Sequence, residues 1–162
     1  MLRDSLFSGL VRDDRPRYLH FSKRCTRYQS WKPTYEDTEL HNHPRTGAVI
    51  GCAIEVHRHL GPGLLESTYE QCLAHELHLA KIPCRVQAAL PVYYKNINLD
   101  CGYRVDLFVD DFIVVELKAV EHVSPIHQAQ LLTYMKLAAA PLGLLINFNV
   151  KLLKDGIKKF VL

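Results

Sequence analysis

Residues 104–121 read RVDLFVDDFIVVELKAVE, two apolar runs on either side of an Asp-Asp pair. β-Branched and aromatic residues broken by two turn-forming aspartates describe a β-hairpin. Its second arm, DFIVVELKAV, is almost wholly apolar, which places it at the centre of a sheet with both faces covered. Yet Asp106, Glu116 and Lys118 interrupt these strands. Side chains alternate along a strand, so Glu116 and Lys118 share one face while Val115, Leu117 and Ala119 take the other. Two registers are open for Asp106. A three-residue loop or bulge centred on Asp111 sets it opposite Glu116. A two-residue turn at Asp110-Asp111 sets it opposite Val115, on the other face. The first gathers the three charges in one spot and is the register expected.

Those charges need a reason. An ion pair between Lys118 and one carboxylate, tolerated at the mouth of the sheet, leaves the second carboxylate over. Burying an uncompensated charge costs several kcal/mol. A divalent cation resolves the surplus, and Mg²⁺ favours one or two carboxylates completed by waters and phosphate oxygens. Beside such an ion, Lys118 is tolerated if its ammonium faces an anionic substrate and an attacking water.

The rest of the chain supplies the frame. TGAVIGCAIEVHRHLG predicts a helix from Thr46 with Val49, Ile50, Ala53, Ile54, His57 and Leu60 on one side, stopped by Gly61-Pro62-Gly63. A second helix is expected from about Glu66 to Lys81, with Tyr69, Leu73, Leu77 and Ala80 as its stripe and Pro83 closing it. CRVQAALPVYYKN reads as one strand bent at Pro91, and NLDCGYRVDLFV as the next. Pro125 opens a helix, PIHQAQLLTYMKLAAA, where proline suits the first turn. PLGLLINFNV is a fourth, short strand, and KDGIKKFVL a short strand or packed tail. Three consecutive strands joined by short loops form an antiparallel meander, and the helix crosses over to return a strand beside it. The fold class is α/β, a sandwich whose mixed sheet is flanked by helices.

Composition closes off other classes. No apolar run is long enough to span a membrane, and the first residues lack the apolar stretch of a secretory signal. Cys25, Cys52, Cys72, Cys84 and Cys101 are odd in number and widely spaced, with no CxxC pair. They read as reduced, mostly buried thiols in a cytoplasmic protein, not as a zinc site or disulfide framework. Residues 1–45 lack sustained periodicity and are expected to be a disordered or loosely attached basic leader, with 46–162 as the folded domain. The charge excess sits in residues 1–46, nine basic against six acidic side chains, which leaves eleven of each in 47–162. Any nucleic-acid affinity in the domain would therefore have to come from a local patch, not from the net field.

Two further segments carry polar residues in telling places. GPGLLESTYE puts Glu66 at a helix entrance, where a carboxylate also meets the helix dipole favourably. HQAQLLTYMK spaces His127, Gln130 and Tyr134 as a polar stripe on an otherwise apolar helix. Such a stripe is either a solvated face or a set of donors for a phosphate or a water. His57 and His127 are candidates for outer-site groups, although each reads more readily as a packed or surface histidine.

Gly63, Glu66 and Tyr69 spell GxxExxY, and together with AIEVHRHLGPG, LPVYYKN, LDCGYRVDL, VELKAVE, AQLLTYMK and GLLINFNV the chain resembles the GxxExxY protein family of the PD-(D/E)XK nuclease superfamily over about residues 39–162. Val105 stands where the superfamily's nominal motif has proline. The resemblance implies a metal-dependent nuclease that hydrolyses phosphodiester bonds of DNA, with RNA as the other candidate. It implies Asp106 and Glu116 as metal ligands, with the Leu117 backbone carbonyl. Glu66 would be the acidic catalytic residue from the leading helices, binding a metal or a metal-bound water. Lys118 would position or activate the attacking water and steady the developing charge. Gln130 and Tyr134 would contact substrate. Mg²⁺ is the expected cofactor, with Mn²⁺ as a substitute. The alternative is a catalytically silent module that keeps the fold for binding. A third arrangement is a homodimer, or a complex with a protein partner that supplies nucleic-acid contacts.

Overall fold

A computed structural model of the 162-residue chain describes residues 42–100 and 102–162. The elements run α1 (Pro44–Leu60), α2 (Glu66–Leu79), β1 (Cys84–Ala89), β2 (Val92–Tyr94), β3 (Ile97–Leu99), β4 (Arg104–Val109), β5 (Ile113–Lys118), α3 (Pro125–Ala138), β6 (Leu142–Asn147), a short 3₁₀ turn (Leu153–Gly156) and β7 (Ile157–Val161). Five strands form one sheet in the order β1-β4-β5-β6-β7. β1, β4 and β5 pair antiparallel, β6 joins β5 in parallel, and β7 returns antiparallel on β6. The parallel β5–β6 pair requires a crossover, and α3 provides it.

β5 lies at the centre because its residues allow nothing else. Ile113, Val114, Val115 and Leu117 are all buried, which takes cover on both faces. On one face Leu107, Val115, Leu144 and Ile146 meet Val49 and Ala53 of α1 and Leu73 and Leu77 of α2. On the other, Phe108, Val114 and Leu145 meet Leu131, Met135 and Ala138 of α3. Gly143 lets α3 come down onto β6, because a Cβ there would strike the Met135 sulfur and Leu131.

The expected mixed sheet and crossover are present, with local differences. The segment expected as two long strands is divided. β1 stops before Pro91, which has no N–H to continue a ladder. The Leu90 N–H donates to the Tyr103 carbonyl at 2.8 Å. Beyond it, β2 and β3 form a separate two-stranded ribbon around a tight turn in which Lys95 has φ 53°. α1 begins at Pro44 instead of Thr46, with proline in its first turn and the His43 imidazole accepting from the Arg45 N–H at 3.3 Å. Its buried stripe is Thr46, Val49, Ala53 and Val56. Ile54 and Leu60, expected inside, are 38% and 39% exposed. Ala80 caps α2 and is also exposed.

The expected leader lies outside the described residues except at its end, where Pro44 and Arg45 already belong to α1. Cys52, Cys72 and Cys84 are free thiols, only partly buried, and Cys25 and Cys101 lie outside the described residues. Among those described, no helix is long and apolar enough to cross a membrane.

Candidate active site

Leu107, Phe108 and Val109 of β4 face Val115, Val114 and Ile113 of β5, a register centred on Asp111. The loop is the three-residue Asp110-Asp111-Phe112, and both aspartates take left-handed φ values of 53°. One step further along this register, Asp106 comes opposite Glu116. Ladder pairing has stopped there, so β5 offers a backbone donor to a side chain. The Leu117 N–H donates to Asp106 Oδ2 at 2.8 Å. Two residues on, the Ala119 N–H donates to Glu66 Oε1 at 3.1 Å. The odd-numbered amides at the end of β5 thus hold one carboxylate from β4 and one from α2. Glu116 and Lys118 project on the other parity, and Lys118 Nζ lies 2.8 Å from Glu116 Oε1.

GxxExxY acquires a structural account here. Gly61 and Gly63 have φ 66° and 102°, a left-handed backbone natural to glycine. Tyr69, fully buried, stacks on Phe148 at 4.3 Å between ring centroids. Its hydroxyl donates to the Gly61 carbonyl at 2.6 Å and accepts from the Leu64 N–H at 3.1 Å. The tyrosine therefore pins the glycine turn, and the turn sets α2 so that Glu66 reaches the end of β5.

The electrostatics are those of surplus negative charge. Burial, reinforced by the Asp106 charge, pushes Glu116 up to about 7, although Lys118 pulls the other way. Burial also raises Asp106, against the Leu117 N–H and Lys118 and with help from Glu66. For Lys118 burial alone favours the neutral amine. The hydrogen bond and charge of Glu116, with Glu66 and Asp106, outweigh it and raise the ammonium. Glu116 is 2% exposed, and its Oε2 has no hydrogen-bond partner. Such an orphan is costly unless something else occupies it.

A divalent cation fits this donor set: two neighbouring carboxylates, one with an unused buried oxygen, and one ammonium that answers only part of their charge. Among the described residues no three His, Cys, Asp or Glu side chains form a ready metal cage. A hard divalent ion held by one or two carboxylates completes its shell with waters and substrate oxygens.

The model of one protein family matches residues 43–160, and that family is described as the PD-(D/E)XK nuclease superfamily. The chain belongs to this superfamily. No curated protein matches it, and neither does any solved structure. Members of the PD-(D/E)XK superfamily typically use divalent metals, which agrees with the orphaned Glu116 oxygen.

Of the residues singled out by sequence, Asp106, Glu116, Lys118 and Glu66 are joined through β5 as described. Gln130 and Tyr134 lie on α3, which covers the face from which Glu116 and Lys118 project. There Gln130 Nε2 donates to the Tyr134 hydroxyl at 2.9 Å. Tyr134 is buried, 6.2 Å between ring centroids from Tyr103, so the stripe is not simply a solvated face. His127 caps its own helix, accepting from the Ser124 N–H at 3.3 Å. His57 binds the Val150 carbonyl at 2.9 Å. Both histidines are structural in this sense, as expected.

Three residues escaped the sequence reading. Gln87 donates to Glu70 and, at 3.4 Å, to Asp106 Oδ1. Glu70 follows Glu66 by one helical turn; burial raises its carboxyl, with the Gln87 hydrogen bond opposing and the Asp106 charge adding. Asn147, 3% exposed, accepts from the Val120 N–H at 3.1 Å and donates to the Val120 carbonyl at 2.8 Å. It fastens the chain just after Lys118. The signal for Asn147 was present, as a lone amide ending an apolar strand.

Proposed function

We propose that this chain is a divalent-cation-dependent nuclease of the GxxExxY type, cleaving phosphodiester bonds of DNA, with RNA as the second substrate to test. The observation that carries the reading is the buried Glu116 oxygen without a partner, beside Asp106, where Lys118 answers only one of two carboxylates. Asp106 and Glu116 hold the cation with the Leu117 carbonyl, and Glu66 adds its carboxylate from α2. Mg²⁺ is the proposed ion and Mn²⁺ its substitute. When bound, such an ion supplies Lewis acidity and neutralises charge gained in the in-line displacement. Lys118 keeps its proton in the cation-free site. Its role is to place a water or a phosphate oxygen by charge and to steady the transition state. Gln130 and Tyr134 present an amide and a phenol from α3 toward substrate.

A second reading, a silent module that binds without cutting, is favoured by the balanced charge of residues 47–162. An active homodimer or a partner complex would also meet that shortage of cations. The test compares wild type with Asp106→Ala and Lys118→Ala on plasmid, single-stranded DNA and RNA, in Mg²⁺, Mn²⁺ or EDTA. Cleavage that needs metal and falls about a hundredfold or more in both variants is expected. Metal binding by calorimetry with no cleavage by folded wild type would move the assignment to the silent module or to a missing partner.

A further inference from the structure

Gln87 has no part in the roles above, yet the chain is distorted around it. It lies in the middle of β1 with φ 50°, a conformation that costs a non-glycine residue on the order of 1–3 kcal/mol. The β1–β4 ladder is intact on both sides, where Val86 pairs with Leu107 and Ala88 with Val105. The position between them sets Gln87 against Asp106. The strain therefore falls opposite a carboxylate of the site. Arg104 Nη1 caps the Gln87 carbonyl at 3.2 Å. The carboxamide donates to Glu70 and to Asp106 Oδ1, the latter at 3.4 Å. Asp106 Oδ2 is already held by the Leu117 N–H at 2.8 Å. Both oxygens of Asp106 thus face neutral donors, one from each neighbouring strand.

Neutrality matters here. A lysine at position 87 would compete with a cation, and a glutamate would repel both Asp106 and Glu70. An amide can orient a carboxylate without cancelling its charge. Partners of this kind, standing behind a metal ligand, change metal affinity about 10–100-fold when removed.

We propose that Gln87 is a positioning residue whose carboxamide sets the rotation of the Asp106 carboxylate and ties it to Glu70 of α2. Its action on cation binding rests on the reading of the site given above. Gln87→Gly deletes the carboxamide while suiting the left-handed backbone, so relief of strain offsets the flexibility glycine adds. In the full chain without nucleic acid, calorimetry should show Mg²⁺ affinity falling about tenfold, with Tm in EDTA close to wild type. In plasmid cleavage kcat, referred to the folded fraction measured by circular dichroism at the assay temperature, should fall with KM little changed. Wild-type Mg²⁺ affinity and kcat in this variant would overturn the proposal. So would losses that merely follow a lowered Tm. A cation-free measurement separates this inference from the function assigned to the site. The Gln87 side-chain amide resonances should shift in Asp106→Asn and in Glu70→Gln. If they shift while wild type binds no Mg²⁺, the nuclease reading fails and the positioning of Asp106 stands. If neither substitution moves them, Gln87 does not position Asp106.

Discussion

Glu116 shows at the scale of one residue what the site demands. Its carboxyl is raised from an ordinary 4.5 to about 7, so the cation-free folded chain binds a proton there more tightly than the unfolded chain does. Between those two values the native state holds the extra proton. Stability must then fall as pH rises through that window, by up to about 3 kcal/mol. The raised Asp106 carboxyl acts in the same direction. In EDTA, Tm should decline from about pH 4.5 to about 7, and the decline should flatten in Glu116→Gln. Mg²⁺ added at the upper end should restore wild type, because it stabilises the ionised form. A Tm flat with pH in wild type would count against the buried surplus of charge. Asp106, Glu116 and Lys118 were legible in the sequence because charge inside an apolar strand is costly and needs a cause. Gln87 and Glu70 were not. A glutamine on an outer strand and a glutamate on a helix have ordinary solvated explanations, and only the observed register brings them to Asp106.

At the scale of elements, the site depends on how α2 enters the fold. Glu66 can meet the end of β5 only if the glycine turn before it holds its shape. Tyr69→Phe keeps the stack on Phe148 but removes both hydroxyl bonds, to the Gly61 carbonyl and from the Leu64 N–H. Each lost bond is worth about 1 kcal/mol, with more where a polar group is left buried and unpaired. A loss of about 1–3 kcal/mol in urea unfolding is expected, with a proportionate shift of the midpoint and an unchanged m-value. An undiminished midpoint would show that the turn does not need the tyrosine. Helix positions were readable because α2 and α3 repeat their apolar residues at helical spacing. The central place of β5 was readable because its apolar run leaves no solvated face. The β2–β3 ribbon was not, because an apolar, aromatic stretch such as LPVYYKN suits one long strand as well as a tight turn. The missing N–H of Pro91 decides in favour of the turn. The face of α1 was misjudged for a related reason. Ile54 and Leu60 are as apolar as Val49 and Val56, and packing against the sheet chooses which of them go inside.

Over the whole molecule, charge is divided in a way that the fold alone does not explain. Residues 47–162 carry equal numbers of basic and acidic side chains, whereas residues 1–41 carry eight basic against six acidic. Affinity for a phosphate backbone scales with the phosphates neutralised, and log K falls with log salt at about 0.9 per phosphate on a duplex. A balanced domain that relies on a local cation site can neutralise only a few. A chain of residues 42–162 holds every element described and both apolar clusters, so it should retain the fold and bind a short duplex with a shallow slope, of magnitude about 3 or less. If arginines and lysines of residues 1–41 add phosphate contacts, the full chain should be steeper by about 2. Fluorescence anisotropy in Ca²⁺, across a series of KCl concentrations, reads both slopes without requiring cleavage. Equal slopes would remove the leader from the nucleic-acid contact and leave the domain to bind alone. A steep slope in the shorter chain would instead place a basic patch on the domain, where the balance of its side chains argues against one.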